Sequence, residues 1–211
     1  MRTVSFRQMK DGTEAEYQFL GRLEREYIER LPERILAALR AMDDGLAGYQ
    51  VTRLEHSLQT ASRAEADGAD EEMIAGALIH DLGDSLAPEN HSNYAAEIIR
   101  PYVRAEVTWV VEHHGLFQKV YYAHFYGEDP ELRAAYRDHP YYGSCVRFCE
   151  RWDQAAFDPD YPTQTLEHFA PLVRRIFSRR AFDPAVIGQK IDQKADQKTD
   201  QNSDPKISEN T

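Results

Sequence analysis

Six residues able to ligate a metal ion occur along this chain in the order His56, His80, Asp81, His91, one of His113 and His114, and Asp153. His56 precedes His80 by 24 residues and His91 follows it by eleven. Neutral imidazole and carboxylate together suit iron, manganese and other borderline or harder divalent ions. Six such ligands are enough to hold two ions. On a helix, adjacent side chains such as His80 and Asp81 point about 100° apart. They are therefore not expected to chelate one ion from one face; Asp81 is expected to bridge two ions while His80 binds one.

The elements that must carry these ligands are helices. Glu14 to Glu29 places Tyr17, Leu20, Leu23, Tyr27 and Ile28 at three- and four-residue spacing, Pro32 ends that pattern, and Glu33 to Met42 repeats it. Thr52, with Glu55 three residues on, predicts a capped helix that carries His56 and runs to Ala66, where Asp67-Gly68 stops it. Asp70 predicts the cap of a buried helix over Glu71 to Leu82, ending on the His-Asp pair. Further helices are expected over 92–101, 105–114, 131–137, 143–156 and 166–179. No alternating apolar segment predicts a strand, so the expected fold class is all-α, with the metal site where several helix ends converge.

Composition narrows the function classes. At 211 residues and 42% hydrophobic content the chain can bury one substantial core. No apolar run reaches the ~20 residues that span a bilayer, and the first ten residues lack the apolar stretch of a secretory signal. Cys145 and Cys149 stand four apart on an expected helix, which predicts free thiols and a cytoplasmic location. A net charge of −11 argues against nucleic acid as partner, although a metal pair can still receive a small anion. From Gln189 onward an Asp-Gln-Lys echo predicts a disordered polar tail over 189–211 behind one domain over 1–188. Isolated histidines are more often surface or core residues than ligands, and His124, His139 and His168 are read that way.

With these residues in place, the segment over roughly 48–157 resembles the HD superfamily of metal-dependent phosphohydrolases and oxygenases. The frame Ala77-Leu-Ile-His-Asp-Leu-Gly-Asp84 carries that resemblance. It implies His56, His80, Asp81 and Asp153 as the core metal ligands, and His91 with one of His113 and His114 as the additions of dinuclear members. The run His114-Gly115-Leu116-Phe117 favours His114, with His113 as the fallback. Gly48-Tyr49-Gln50, Leu54 to Gln59, Gly68 to Glu72, Asn90-His91, His113 to Gln118 and Cys149 to Gln154 further resemble the mixed-valent di-iron oxygenases of organophosphonate catabolism.

That resemblance implies an HD-domain helical bundle with a dinuclear site in its core, an Fe(II)/Fe(III) pair, and O2 and an organophosphonate as reactants. An upstream hydroxylase would supply the substrate. Asp81, His80 and Asp84 are the implied catalytic residues; Tyr49, Asp84, Gln118 and Lys119 are the implied substrate contacts. Aminophosphonate-cleaving members have a second histidine where Asp84 stands and an acid where Tyr49 stands. Tyr49, Trp109, Phe117, Tyr121, Tyr122, Phe125 and Tyr126 crowd the region in sequence, and aromatic faces favour a quaternary ammonium. The expected reaction is thus O2-dependent C–P cleavage of (R)-1-hydroxy-2-(trimethylammonio)ethylphosphonate to glycine betaine and phosphate. A primary-amine analogue, 2-amino-1-hydroxyethylphosphonate, and a phosphohydrolase using the same ligands are the alternatives. Arg147 and Arg151 rank as weak candidates for the phosphonate.

Overall fold

Nine α-helices, short 3-10 turns and one π-helical turn account for the regular structure in the computed structural model, which describes residues 2–188, and no strand occurs among them. The expected tail over 189–211 lies outside the described residues. Helices α1 (Glu14–Glu29), α2 (Leu31–Ala41), α3 (Arg53–Ala66) and α4 (Glu71–Ile79) follow the periodicity closely. Then come α5 (His91–Ile99), α6 (Ala105–Tyr122), α7 (Tyr142–Phe148), α8 (Leu166–Phe177) and the short α9 (Pro184–Ile187). No described helix is long and apolar enough to cross a membrane.

Side-chain caps start the helices that matter for position. Thr13 with Glu16 and Thr52 with Glu55 each form a capping box, and Asp70 accepts from the amides of Glu72 and Met73. These interactions satisfy donors that the first helical turn leaves orphaned, each cap being worth about 1 kcal/mol. The core lies where α3, α4, α6, α7 and α8 meet, with Leu78, Ile79, Val107, Val110, Phe117, Phe148 and Phe169 inside it. Gly76 lets α4 approach α6, because a Cβ there would stand 2.8 Å from Val107. The apolar stripe of α1 is not core: the helix touches α2, buries no residue, and leaves Tyr27 and Ile28 exposed.

Several elements differ from the sequence expectation. Helix α4 ends at Ile79 rather than Leu82; the chain tightens there, with Leu82 N donating to Ile79 O and Asp84 N to Asp81 O. Helix α6 runs two turns beyond His114, to Tyr122, straight through Gly115. Residues 131–137 form a 3-10 turn over Leu132–Tyr136. The helix expected over 143–156 is α7 followed by a π-helical turn over Cys149–Asp153.

Candidate metal centre

Each ligand candidate comes from a helix end or from a place where a helix loses its regular form. His56 stands in the first turn of α3, and His80 caps the C-terminus of α4 with Asp81 in the turn beyond. His91 opens α5, His114 lies on the inward face of α6, and Asp153 closes the π-helical turn. In that turn the amide of Gln154 bonds back five residues to Cys149 O, at 3.0 Å. The wider turn changes the direction in which Asp153 leaves the helix, a common property of π-bulges at functional sites.

The side chains converge on two adjacent positions. Around the first, His56 Nε2 is 3.2 Å from Asp153 Oδ1 and 3.4 Å from Asp81 Oδ2. His80 Nε2 is 3.5 Å from Asp153 Oδ1 and 3.4 Å from Asp81 Oδ2. Around the second, Asp81 Oδ1 faces His114 Nε2 at 3.3 Å and His91 Nε2 at 3.5 Å. Asp81 therefore turns one oxygen to each position, as a bridge must. His80 and Asp81 both reach the first position, and α4 has already ended at Ile79, so the pair does not share one face of a regular helix.

The chemistry of the donor set fits a cation. The Nδ1 atoms of His56, His80, His91 and His114 face the carbonyls of Ala156, Ala77, Pro88 and Val111 at 3.0, 2.8, 3.2 and 2.6 Å. Those carbonyls can only accept, so they fix the proton on Nδ1 and turn each Nε2 lone pair inward. His56 Nε2 and His80 Nε2 then face each other at 3.1 Å. Two lone pairs at that distance need a positive charge between them. Asp153 Oδ2 is buried without a hydrogen-bond partner among the described residues, a cost normally avoided unless an ion completes the site.

Without a metal, a proton takes that place. Burial works against charge on His56, but Asp153 and Asp81 beside it push the imidazole up to about 10. His80 is raised in the same way: burial opposes charge, and Asp81 and Asp153 outweigh it. Burial would raise both carboxylates, yet the neighbouring imidazoles, His80 first among them, hold Asp81 and Asp153 well below the ordinary range. Five of the six side chains are buried. His91 differs, with 25% of its side chain exposed. It sits on the wall of an open cleft of about 650 Å³ that is also lined by Asn90, Glu112, His113, Lys119 and Tyr122.

Two glycines make room for the start of α5. A Cβ on Gly83 would meet the His91 Cα and carbonyl oxygen at 2.8 Å, and one on Gly115 would stand 2.8 Å from Ser92 Oγ. Neighbouring His113 points elsewhere: its ring stacks on Trp109 at 4.2 Å and its Nδ1 faces Trp109 O at 2.9 Å. It is His114 that reaches Asp81.

The remaining candidates are more scattered. Asp84 is ion-paired with Arg53 and stands 3.4 Å from His91 Nδ1. Lys119 lies on the cleft wall but holds Glu128 at 2.6 Å, and half-buried Gln118 follows His114 by one turn. Tyr49 is 53% exposed and stacks on Phe157, whose other contact is the ring of His56 at 4.3 Å. Tyr122 lines the cleft. Proximity in sequence misplaced Phe117, Trp109, Phe125 and Tyr126. Phe117 is fully buried core, Trp109 is stacked between His113 and His139, and Phe125 and Tyr126 are largely exposed. Arg151 pairs with Asp67, and Arg147 lines a separate pocket beside Asp70 and Arg104. His168 pairs with Glu65 at 3.0 Å.

Arg53 and Phe157 were not anticipated. Arg53 had a partial signal in its position one turn before His56; nothing local marked Phe157, which meets His56 across a hundred residues of chain.

The HD domain family matches residues 53–140, a span that holds five of the six ligand candidates and stops short of Asp153. The chain is also similar to [1-hydroxy-2-(trimethylamino)ethyl]phosphonate dioxygenase (glycine-betaine-forming) from Leisingera caerulea. The two are 27% identical, over 65% of this chain and 85% of that protein. The all-helical chain therefore carries an HD domain, with a buried histidine and aspartate cluster able to bind metal.

Proposed function

We propose that this protein is a di-iron oxygenase that cleaves the C–P bond of (R)-1-hydroxy-2-(trimethylammonio)ethylphosphonate with O2, giving glycine betaine and phosphate. The observation that carries the reading is the shared carboxylate: Asp81 turns one oxygen to His56 and His80 and the other to His91 and His114. Similarity to the Leisingera caerulea dioxygenase supports the reaction and the substrate class. His56, His80, Asp81 and Asp153 would hold one iron, and His91, His114 and Asp81 the other. When bound, the iron pair supplies the redox chemistry that couples O2 reduction to substrate oxidation.

The reaction balances without a further reductant. The carbinol carbon gives up its two hydrogens, one on carbon and one on oxygen, and its bond to phosphorus. It gains the second oxygen of a carboxylate, phosphorus gains the fourth oxygen of phosphate, and one proton is released. O2 takes all four electrons and both its atoms are used.

The chain's own side chains have three tasks. The open flank at His91 admits a small anion to the second position while the other ligands stay dry. Lys119, on the same cleft wall, is the cation within reach of the phosphonate, and it must release Glu128 to serve. The rings of exposed Tyr49 and of Tyr122 would serve a trimethylammonium, each contact worth about 0.5–2 kcal/mol.

The test is phosphate release by iron-loaded protein with and without O2. Release matched by equal O2 consumption, with a mixed-valent electron paramagnetic resonance signal in the resting protein, is expected. Anaerobic release supported by any added divalent metal would instead make the protein a phosphohydrolase working through metal-activated water. The aromatic argument is tested separately, by kcat/KM for the trimethylammonio substrate against the primary amine. A gap of about tenfold or more, roughly 1.4 kcal/mol, is expected, and equal efficiency removes that argument alone.

A further inference from the structure

The four ligand histidines are not held equally. His56, His80 and His114 are buried, and their Nδ1 atoms lie 3.0, 2.8 and 2.6 Å from single backbone carbonyls. His91 is partly exposed and its carbonyl partner, Pro88 O, is the most distant of the four at 3.2 Å. A second acceptor competes for the same nitrogen: Asp84 Oδ1, at 3.4 Å. Of the four, the orientation of His91 thus depends most on a side chain.

That side chain is itself clamped. Arg53, the first residue of α3, donates from Nε to Asp84 Oδ2 at 2.5 Å, and its Nη2 pairs with the same oxygen. The same Nη2 stands 3.4 Å from Asp81 Oδ2. The guanidinium is largely removed from solvent, with 14% of the side chain exposed. Since His91 Nε2 faces Asp81 Oδ1 at 3.5 Å, the four groups close a ring: Arg53 to Asp84, Asp84 to His91, His91 to Asp81, and Asp81 back to Arg53. Three segments that carry ligands meet in it, namely the start of α3, the turn after α4 and the start of α5.

We propose that Arg53 is a positioning residue for the second metal position, acting through Asp84 on His91. This rests on the two-position reading above. The physical case is that a carboxylate behind a ligating imidazole sets its tautomer and raises its basicity, and loss of such a partner costs about 10–100-fold in metal affinity. An unpaired Asp84 would be free to turn to water. Arg53 keeps it against His91, and a planar fork meeting two carboxylates does this better than a point charge. The imidazoles of the first position, His56 and His80, are held by backbone carbonyls instead.

Calorimetric titration of the metal-free full-length protein with Mn(II), under anaerobic conditions, reads the two positions directly. Wild type should bind two ions. Arg53→Gln and Asp84→Asn should each weaken one of the two by about 10–100-fold and leave the other within about threefold. Because Arg53 acts through Asp84, the double variant should be no weaker than Asp84→Asn alone. Arg53→Lys should fall between wild type and Arg53→Gln. A purely structural role would weaken both positions together and lower the helical circular dichroism. Two ions bound at wild-type affinity in every variant overturns the inference and leaves the dinuclear reading intact, and so do losses that multiply in the double variant. A wild-type protein binding fewer than two ions overturns both.

Discussion

Replacing Asp81 by Asn separates the two functions of one carboxylate. The side chains have nearly the same shape, so no cavity opens; what changes is charge and the second acceptor oxygen. An amide can turn its oxygen toward His56 and His80 or toward His91 and His114, where the carboxylate serves both at 3.3–3.5 Å. One metal position must therefore lose its ligand from residue 81, and the variant should bind one ion tightly. In the metal-free protein the loss is electrostatic. Asp81 is 3% exposed and stands 3.4 Å from both Arg53 Nη2 and His56 Nε2, the latter protonated at neutral pH. Removing one partner from buried charge of this kind costs about 3–5 kcal/mol. At about 2–4 °C per kcal/mol for a chain of this length, the metal-free Tm should fall by about 6–20 °C. Differential scanning calorimetry of metal-free protein, with metal content by mass spectrometry after reloading, reads both effects. Two tightly bound ions together with an unchanged metal-free Tm would refute the bridging assignment and the electrostatic account at once.

Other perturbations probe the site from different sides. Gly83→Ala drives a methyl into the His91 backbone at 2.8 Å; it should cost about 1–3 kcal/mol in thermal unfolding and weaken one metal position, whereas wild-type stability would show that the turn yields freely. His114→Ala should lose one ion from the purified protein, while His113→Ala, which removes a ring stack on Trp109, should keep both and lose about 1 kcal/mol of stability; the reverse metal contents would exchange their roles. The raised His56 stabilises the metal-free fold fully below its ordinary value of 6.5, and that contribution is lost as pH rises through about 10. Metal must displace this proton, so at pH 8 binding should release protons to the buffer and apparent affinity should climb with pH. Calorimetry in buffers of different ionisation enthalpy checks the sign, and binding without proton release would show that His56 is already neutral.

Local rules made much of this protein legible in its sequence. Thr52 and Asp70 marked helix starts because a capping side chain answers amides within three residues. The all-helical class followed from apolar spacing. Residue types and order pointed to a metal site, since few other uses gather histidine and aspartate in that succession. Chain direction at each ligand was a different matter. Where helices break, a fixed rotation per residue no longer applies: α4 stops before His80, and a π-helical turn re-aims Asp153. Conversely, α6 continues through Gly115, where the missing side chain leaves room for Ser92 of α5, whose Oγ would lie 2.8 Å from a Cβ there. Which of two adjacent histidines faces inward depends on what packs against the helix, and that partner lies elsewhere in the chain. The same holds for Phe157 against His56 and for Arg53 against Asp84 and Asp81, contacts 101, 31 and 28 positions apart. Sequence determined which side chains could bind metal and that helices would carry them; tertiary structure decided that one carboxylate faces two positions, because only packing brings separate helix ends within 3–4 Å of one another.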